Sequence, residues 1–484
     1  MGNSKENITL GKGLSGKALV AIGLGAIVGW SWVVYGGMWS TLGGSLGGII
    51  GFAITGVLCS LVGLVYAEMT SAFPRAGGDV VFALEGIGQL GSIIMMWLVV
   101  MFWVGLTMIE TMFFPVILTR LGVPLPEWGA LYNVAGGTVY LSYFLVSIGM
   151  NALIAFLNTR AVEISGKIQQ IAVWILLAAA LILCFGGIIK GDVSNMQPLF
   201  TGSAGFFAVM LMLPGFMSGF NAIPQAAEEA SVPRKTIGRA VILTVWAAVA
   251  FYAMIILGTA LGGDFALRSG DGLVVLDVVY NLFGGSAVVV FFVTFASLLG
   301  MLTTWNACYI AGTRLFVGLS RAKYLPQSIA YINPKTKAPT KAILMLFLAS
   351  SLIIFFGANT LIYVTIIDVF SFALVIAWCL VIISFLRLQK LRPEMERPYK
   401  VKYPKLVGWA ALIFSLAFLY LYTPVGPAGL TNIEWSVVGI ITLIALIVYF
   451  AYNRKKGYVS LEERRKLLGS DQIVSSTNET PVEK

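Results

Sequence analysis

The 484-residue sequence contains no histidine. That absence excludes every Ser–His triad, every His-ligated zinc or haem site and any imidazole proton relay. Cysteine is nearly as scarce. The four present (Cys59, Cys184, Cys308 and Cys379) each fall inside an apolar run, far apart and without metal-site spacing. They read as small buried residues rather than disulfide partners. Charge is the third deficit: 11% of residues are charged and 58% are hydrophobic. A soluble domain carries about 25% and about 45–50%. With a mean hydropathy of +0.89, a soluble enzyme is excluded, and the fold class is an all-α integral membrane protein.

A stretch of roughly 20 apolar residues crosses a bilayer as a helix. Twelve such stretches are expected, at about 18–42, 46–70, 91–119, 137–157, 165–189, 204–228, 237–261, 285–312, 342–357, 360–386, 406–423 and 434–453. The ninth is short. A further run at 273–283 is too short to span and is expected on the outer surface. With the N-terminus inside, 29 of the 32 Lys and Arg fall in inner segments, and only Arg120, Lys190 and Arg268 lie outside. The positive-inside rule therefore places both termini in the cytoplasm, residues 1–17 at one end and 454–484 at the other. The net charge of +10 sets orientation and gives no reason to invoke nucleic acid.

Two motif matches are decoys. Residues 11–18 are one residue short of a phosphate-binding loop, lack its terminal Ser/Thr and run directly into a span. Residues 43–47 fit a nucleophile elbow, but a chain without histidine cannot complete that triad.

Glycine is abundant, 53 residues or about 11% against a usual 7%. In span 2, Gly47, Gly51, Thr55, Cys59, Gly63 and Ala67 recur every fourth residue, a small-residue stripe that lets another helix approach closely. Span 1 carries Gly23, Gly25, Gly29 and Ser31, and span 6 carries Pro214, Gly215, Ser218 and Gly219, near the middle of their hydrophobic runs. Freed backbone groups at that depth are tolerated only where they line a cavity or bind something. Breaks five helices apart fit two inverted five-helix repeats, 18–189 and 204–386, with the substrate where the broken helices meet and 406–453 as two extra helices. Half-helix N-termini suit a carboxylate there, and freed carbonyls suit an ammonium or a metal cation.

Four segments carry a resemblance to a known family. They are Gly25 to Trp32 with Gly43-Gly44; Tyr66-Ala-Glu68 with Phe73-Pro74-Arg75-Ala-Gly77-Gly78; Gly219-Phe-Asn221 leading to Glu228-Glu229, Pro233-Arg234 and Gly238-Arg239; and Asn306, Arg314, Arg321 and Leu325-Pro326. From about residue 15 to 455 the chain resembles the amino acid–polyamine–organocation transporter superfamily. That resemblance implies a five-plus-five core, alternating access, and substrates with an amino group and usually a carboxylate. It places the substrate-binding residues at Gly25, Gly29, Trp30 and Ser31 in span 1, and at Gly215, Phe216, Gly219, Phe220 and Asn221 in span 6. This sequence departs from the family in several ways. Trp30 and Trp32 flank Ser31 where small residues are usual, a gate aromatic is replaced by Gly215, and an acidic position is Asn221, which cannot titrate. Phe216 or Phe220 is expected to serve as the aromatic lid.

Coupling is read from span 8. A lysine that replaces a sodium ion in some relatives corresponds here to Leu176. Gly300, Thr303 and Thr304 stand at i, i+3 and i+4 and share a helix face. Facing the span 1 carbonyls, they would form an all-oxygen cage for monovalent sodium. Hydrogen bonding within their own helix is the competing role. Glu110 in span 3 suits a proton carrier, a counter-ion for a cationic substrate or a structural hydrogen bond, and an intramembrane carboxyl needs some such reason. Asp368 belongs to an outer gate or snorkels outward. Glu68, Glu228 and Glu229 are expected to pair with Arg75, Arg234, Arg314 or Arg321 as an inner gate.

The reading is a secondary-active amino acid transporter of the cell membrane, monomeric or homodimeric among lipids, symporter or antiporter. No cofactor is expected beyond co-transported sodium or protons. A polyamine or ethanolamine-like organocation is the alternative substrate, and a transport-silent nutrient sensor is a remote one. A major-facilitator protein would show a long central loop, whereas only about eight residues separate spans 6 and 7.

Overall fold

Apolar runs this long become helices because hydrocarbon offers backbone N–H and C=O groups no partners but each other. The computed structural model describes residues 10–134, 137–160, 162–270, 273–357, 360–426, 429–456, 459–468 and 470. Most of the expected N-terminal segment and the end of the C-terminal tail lie outside the described residues.

In chain order the helices are α1 (Gly16–Val28), α2 (Ser31–Leu42), α3 (Ser45–Ala72), α4 (Gly78–Gly86), α5 (Gln89–Arg120), α6 (Leu141–Asn158), α7 (Val162–Lys190), α8 (Ser203–Met217) and α9 (Ala222–Ala226). They continue with α10 (Arg234–Gly262), α11 (Phe265–Arg268), α12 (Val274–Leu282), α13 (Ala287–Arg321), α14 (Thr340–Ser351), α15 (Thr360–Leu391), α16 (Pro404–Leu421), α17 (Asn432–Lys456) and α18 (Leu461–Leu468). Among the described residues ten helical stretches are long and apolar enough to cross a membrane, and the pair α1–α2, bent by 57°, makes an eleventh if counted as one span. The shorter helical stretch Thr340–Phe356 lies where the ninth span is expected.

Two expectations change in detail. Residues 137–140 do not begin a span but form β2 (Gly137–Tyr140), antiparallel to β1 (Ala130–Val134), because Thr138, Val139 and Tyr140 favour extended backbone. Of the expected span 6 breakers, Pro214 and Gly215 remain inside α8, which continues to Met217. The helix yields instead at Ser218, whose backbone is extended, and at Gly219, whose φ of +133° disfavours any side chain. The 273–283 run is α12, with Val274, Val275, Val278 and Val279 buried.

Small residues set the helix spacing. The α3 stripe serves two neighbours: Gly51 faces Leu213 and Met210 of α8, and Gly63 faces Ile242 and Val245 of α10. Where α7 crosses α10, a Cβ on Gly258 would stand 2.6 Å from the Leu183 carbonyl oxygen. Cys59, Cys184, Cys308 and Cys379 are all buried and free. Arg268 is buried as well, and its guanidinium donates to the carbonyls of Ser40, Asn195, Gln197 and Gly263 and to Ser45 Oγ, fastening the end of α2 to the segment before α8.

Gly258→Val should force α7 off α10 and destabilise the protein by about 1–3 kcal/mol, read as a lower melting temperature in detergent. Gly439→Ala, inside α17 where an added Cβ meets nothing within 4 Å, should instead stabilise the protein by about 0.5–1 kcal/mol.

Candidate functional site

The site begins with the interruption between α1 and α2. Ser15 caps α1, its Oγ accepting the Ala18 N–H at 3.2 Å. The helix stops at Val28 because Gly29 turns to φ +50° and Trp30 lies between the two segments. A Cβ on Gly29 would also stand 3.0 Å from Thr304 Oγ1. The interruption frees carbonyls at the end of α1, and three hydroxyls meet them. Thr304 donates to Gly25 O at 2.8 Å, Tyr252 to Ile27 O at 3.0 Å and Ser31 to Val28 O at 3.1 Å. Ser31 Oγ and Tyr252 Oη lie 3.2 Å apart. Tyr252 escapes sequence reasoning, because an aromatic inside an apolar helix carries no distinguishing signal.

The second interruption packs against the first. Ser218 Oγ donates to Gly215 O at 2.7 Å, and Asn221 Oδ1 accepts the Gly219 N–H at 3.0 Å. The bare Cα of Gly219 lets this loop lie on Ala26 and Ile27, where a Cβ would come within 2.8 Å of the Ala26 carbonyl carbon.

Between the two breaks opens a cavity of about 630 Å³, within the range of ligand pockets. Gly29, Trp30, Ser31, Gly215, Phe216 and Ser218 line it, together with Glu110 of α5 and Thr304 of α13. Its wall continues to Asp368 of α15 and to Tyr422, Thr431 and Glu434 around α16 and α17. Four expected contact residues are elsewhere. Gly25 faces the Gln169 amide and Thr303, Gly219 faces the α1 backbone, and Asn221 is engaged with Gly219. Phe220 is buried between Tyr66 and Trp378, with ring centroids 5.5 and 5.7 Å away, so Phe216 is the aromatic of the pair that reaches the cavity.

Thr303 and Thr304 diverge. The Thr303 hydroxyl donates to Gly300 O of its own helix at 2.7 Å, whereas Thr304 reaches across to α1. Gly300 approaches the Gly29 carbonyl so closely that a Cβ would stand 2.0 Å from that oxygen, with Leu176 beside it. Amides brace the arrangement from behind: Gln169 donates to Thr303 O at 2.9 Å, and Asn306 Nδ2 donates to Gln169 Oε1 at 2.9 Å. Asn158 Nδ2 in turn donates to Asn306 Oδ1 at 2.9 Å. Glu110 is 3% exposed, with Oε2 buried and without a hydrogen-bond partner. The Trp30 indole is within hydrogen-bonding reach of its carboxyl.

At the opposite end, charged side chains are paired. Arg314 and Glu229 form a buried two-pronged pair at 2.5 and 3.1 Å, and Arg321 grips Glu228 at 2.8 Å. The backbone N–H groups of Gly13 and Leu14 donate to Glu229 O, tying the chain before α1 beneath the span 6 segment. Glu68 does not join these pairs. It pairs with Arg397 at 2.9 Å and accepts the Gln389 amide and the Val401 N–H, because α3 ends beside the α15–α16 connection. Asp79 of α4 was not anticipated. It is buried, it accepts the Gln225 amide at 2.6 Å, and burial pushes its carboxyl up to about 6.

Arg314→Ala leaves Glu229 buried and unpaired, which should cost about 3–5 kcal/mol, and replacing both by apolar residues should recover most of it. Melting curves of the three proteins check this. Because Asp79 binds its proton more tightly folded than unfolded, its contribution is greatest below the ordinary value of 3.8 and is lost as pH rises through about 6. Asp79→Asn should therefore gain stability over the parent across that window, by on the order of 3 kcal/mol at pH 7, measured as the difference in melting temperature against pH.

The family model described as amino acid permease matches residues 14–450. The methylthioribose transporter of Bacillus subtilis (strain 168) is 23% identical over 465 residues, which cover 92% of this chain and 94% of that protein. The branched-chain amino acid permease of the same organism is 24% identical over 458 residues, 90% of this chain and 92% of its own. Asc-type amino acid transporter 1 of Mus musculus is 25% identical over 392 residues, 77% of this chain and 69% of that protein. Both the family and these relatives are transporters rather than enzymes. With a match over nearly its whole length and many apolar helices, this chain is a multi-pass membrane protein and belongs to the amino acid permease family.

Proposed function

We propose that the protein carries amino acids across the cell membrane by alternating access, with the cavity between the two helix breaks as the substrate site. The carrying observation is that both interrupted spans contribute their break residues, Gly29 to Ser31 and Gly215 to Ser218, to one cavity of about 630 Å³. The relatives named for amino acid transport support the same reading. In this reading the N–H groups that open α2 receive the substrate carboxylate, and the carbonyls that end α8 receive its amino group. Twelve spans, arranged as two inverted five-helix repeats and two added helices, place both termini in the cytoplasm. The cavity then faces outward, and the Arg314–Glu229 and Arg321–Glu228 pairs form the inner gate that parts when the site turns inward.

Uphill import needs an ion. One charge moving down 100 mV supplies about 2.3 kcal/mol, or roughly fiftyfold accumulation. Sodium is the preferred coupling ion: the Thr304 hydroxyl and the carbonyls of Gly25, Gly29 and Gly300 supply oxygen ligands only, the donor type a hard cation takes, whereas the Thr303 hydroxyl is spent within its own helix. Protons through Glu110 are the second reading, favoured by its unpartnered oxygen. A polyamine or ethanolamine-like substrate is kept open by the carboxyls that line the cavity.

Uptake of labelled amino acids into proteoliposomes, with and without an inward sodium gradient, tests this. Sodium should stimulate accumulation, and Thr304→Ala should abolish the stimulation. Sodium-indifferent uptake by the parent protein would overturn the sodium site, and no uptake of any amino acid would overturn the transport reading.

A further inference from the structure

We infer that Asp368 and Glu434 form a cation subsite in the cavity wall, selecting amino acids whose side chain ends in an ammonium or guanidinium group. The inference rests on the reading of this cavity as the substrate site. Asp368 on α15 and Glu434 in the first turn of α17 lie within hydrogen-bonding reach of each other, and both line the cavity. Two carboxyls so close repel one another when ionised unless a cation or a proton lies between them. Glu434 is held in place. Its Oε2 accepts the Thr431 N–H at 2.6 Å while Thr431 Oγ1 accepts the Glu434 N–H at 3.4 Å, a reciprocal capping box at the start of α17. With its oxygen committed to that cap, Glu434 cannot swing away from Asp368 without uncapping the helix.

A second observation points to a ligand. Glu110, on α5, lines the same cavity, is 3% exposed and carries one oxygen with no hydrogen-bond partner. Leaving a buried acceptor empty is costly. The cavity thus contains three carboxyl side chains, and no Lys or Arg is among the residues that line it. No cationic side chain among the described residues of its wall faces them, and a substrate carrying a positive charge beyond its own amino group would. The site sits away from the span 1 and span 6 breaks in sequence, on helices that hold no main-chain contact in the transport reading. The α-carboxylate and α-amino groups therefore stay at the breaks while the side chain reaches toward α15 and α17.

The test is the ratio of lysine to leucine uptake in proteoliposomes at subsaturating concentration, for the parent protein and for Asp368→Asn and Glu434→Gln. The glutamine keeps an acceptor for the Thr431 N–H, so the cap persists. The parent should favour lysine at least tenfold, and each variant should lower the lysine-to-leucine ratio at least tenfold. Because it is a ratio, poor folding or insertion of a variant cancels. A parent that takes leucine but not lysine would overturn the subsite and leave the transport reading standing. Uptake of neither would overturn both. Variants that keep the ratio but shift the pH dependence of both substrates together would show a shared proton in place of a substrate subsite.

Discussion

A helix interrupted inside hydrocarbon has to find partners for the backbone groups it frees, and much of this structure follows from how α1 meets that demand. Thr304, Tyr252 and Ser31 each donate one hydroxyl to a carbonyl near the end of α1. Those donors come from α13, α10 and α2, so the break can exist only if all of these helices stand at the right distance. Missing side chains set that distance: Gly29 yields to Thr304, Gly300 to the Gly29 carbonyl and Gly219 to the α1 backbone. The abundance of glycine and the small-residue stripe of α3 serve the same end. Helices must pack closely enough for short hydroxyl side chains to reach backbone oxygens across the gap.

The two ends of the molecule are built on different physics. At one end, charged groups are buried and paired, Arg314 with Glu229 and Glu68 with Arg397, the first pair at 2% and 0% side-chain exposure. Such pairs add little net stability, but breaking one partner away is expensive, which makes them steep in response to small displacements. Toward the other end the cavity wall carries carboxyls without cations, together with aromatic rings such as Trp30, Phe216 and Tyr422. The first end is held together by electrostatics in a low-dielectric setting. On the second side no ion pair is formed among the described residues that line the cavity.

Much of this was legible in the sequence, and what was missed has a pattern. Long apolar runs and the Gly29–Ser31 interruption stand out because composition and glycine spacing are local properties. The pairs Arg314–Glu229 and Arg321–Glu228 were within reach because each candidate lay at a helix end with few partners of opposite sign. Glu68 was misassigned because its partner, Arg397, is more than three hundred residues away, and nothing local distinguishes that arginine from its neighbours. In span 6, proline and glycine at 214–215 look the stronger breakers, yet of the four residues named there Ser218 and Gly219 carry the actual turn. Tyr252, Asp79 and Glu434 take their roles only from tertiary placement. A tyrosine in an apolar helix, an acid after a Gly-Gly turn and a glutamate in a capping box each have an ordinary local explanation that conceals the second role.

The central claim is that substrate enters the cavity between the broken helices. Its most direct measurement is protection of a cysteine placed there. Ser371 lines the cavity and is half-buried, whereas the four native cysteines are buried, so Ser371→Cys provides the accessible thiol in membranes treated with an impermeant thiol reagent. A transported amino acid should slow labelling at least severalfold, at the concentration that half-saturates uptake, and non-transported amino acids should not. Labelling that proceeds at the same rate whether or not the transported substrate is present would contradict the assignment of this cavity as the binding site.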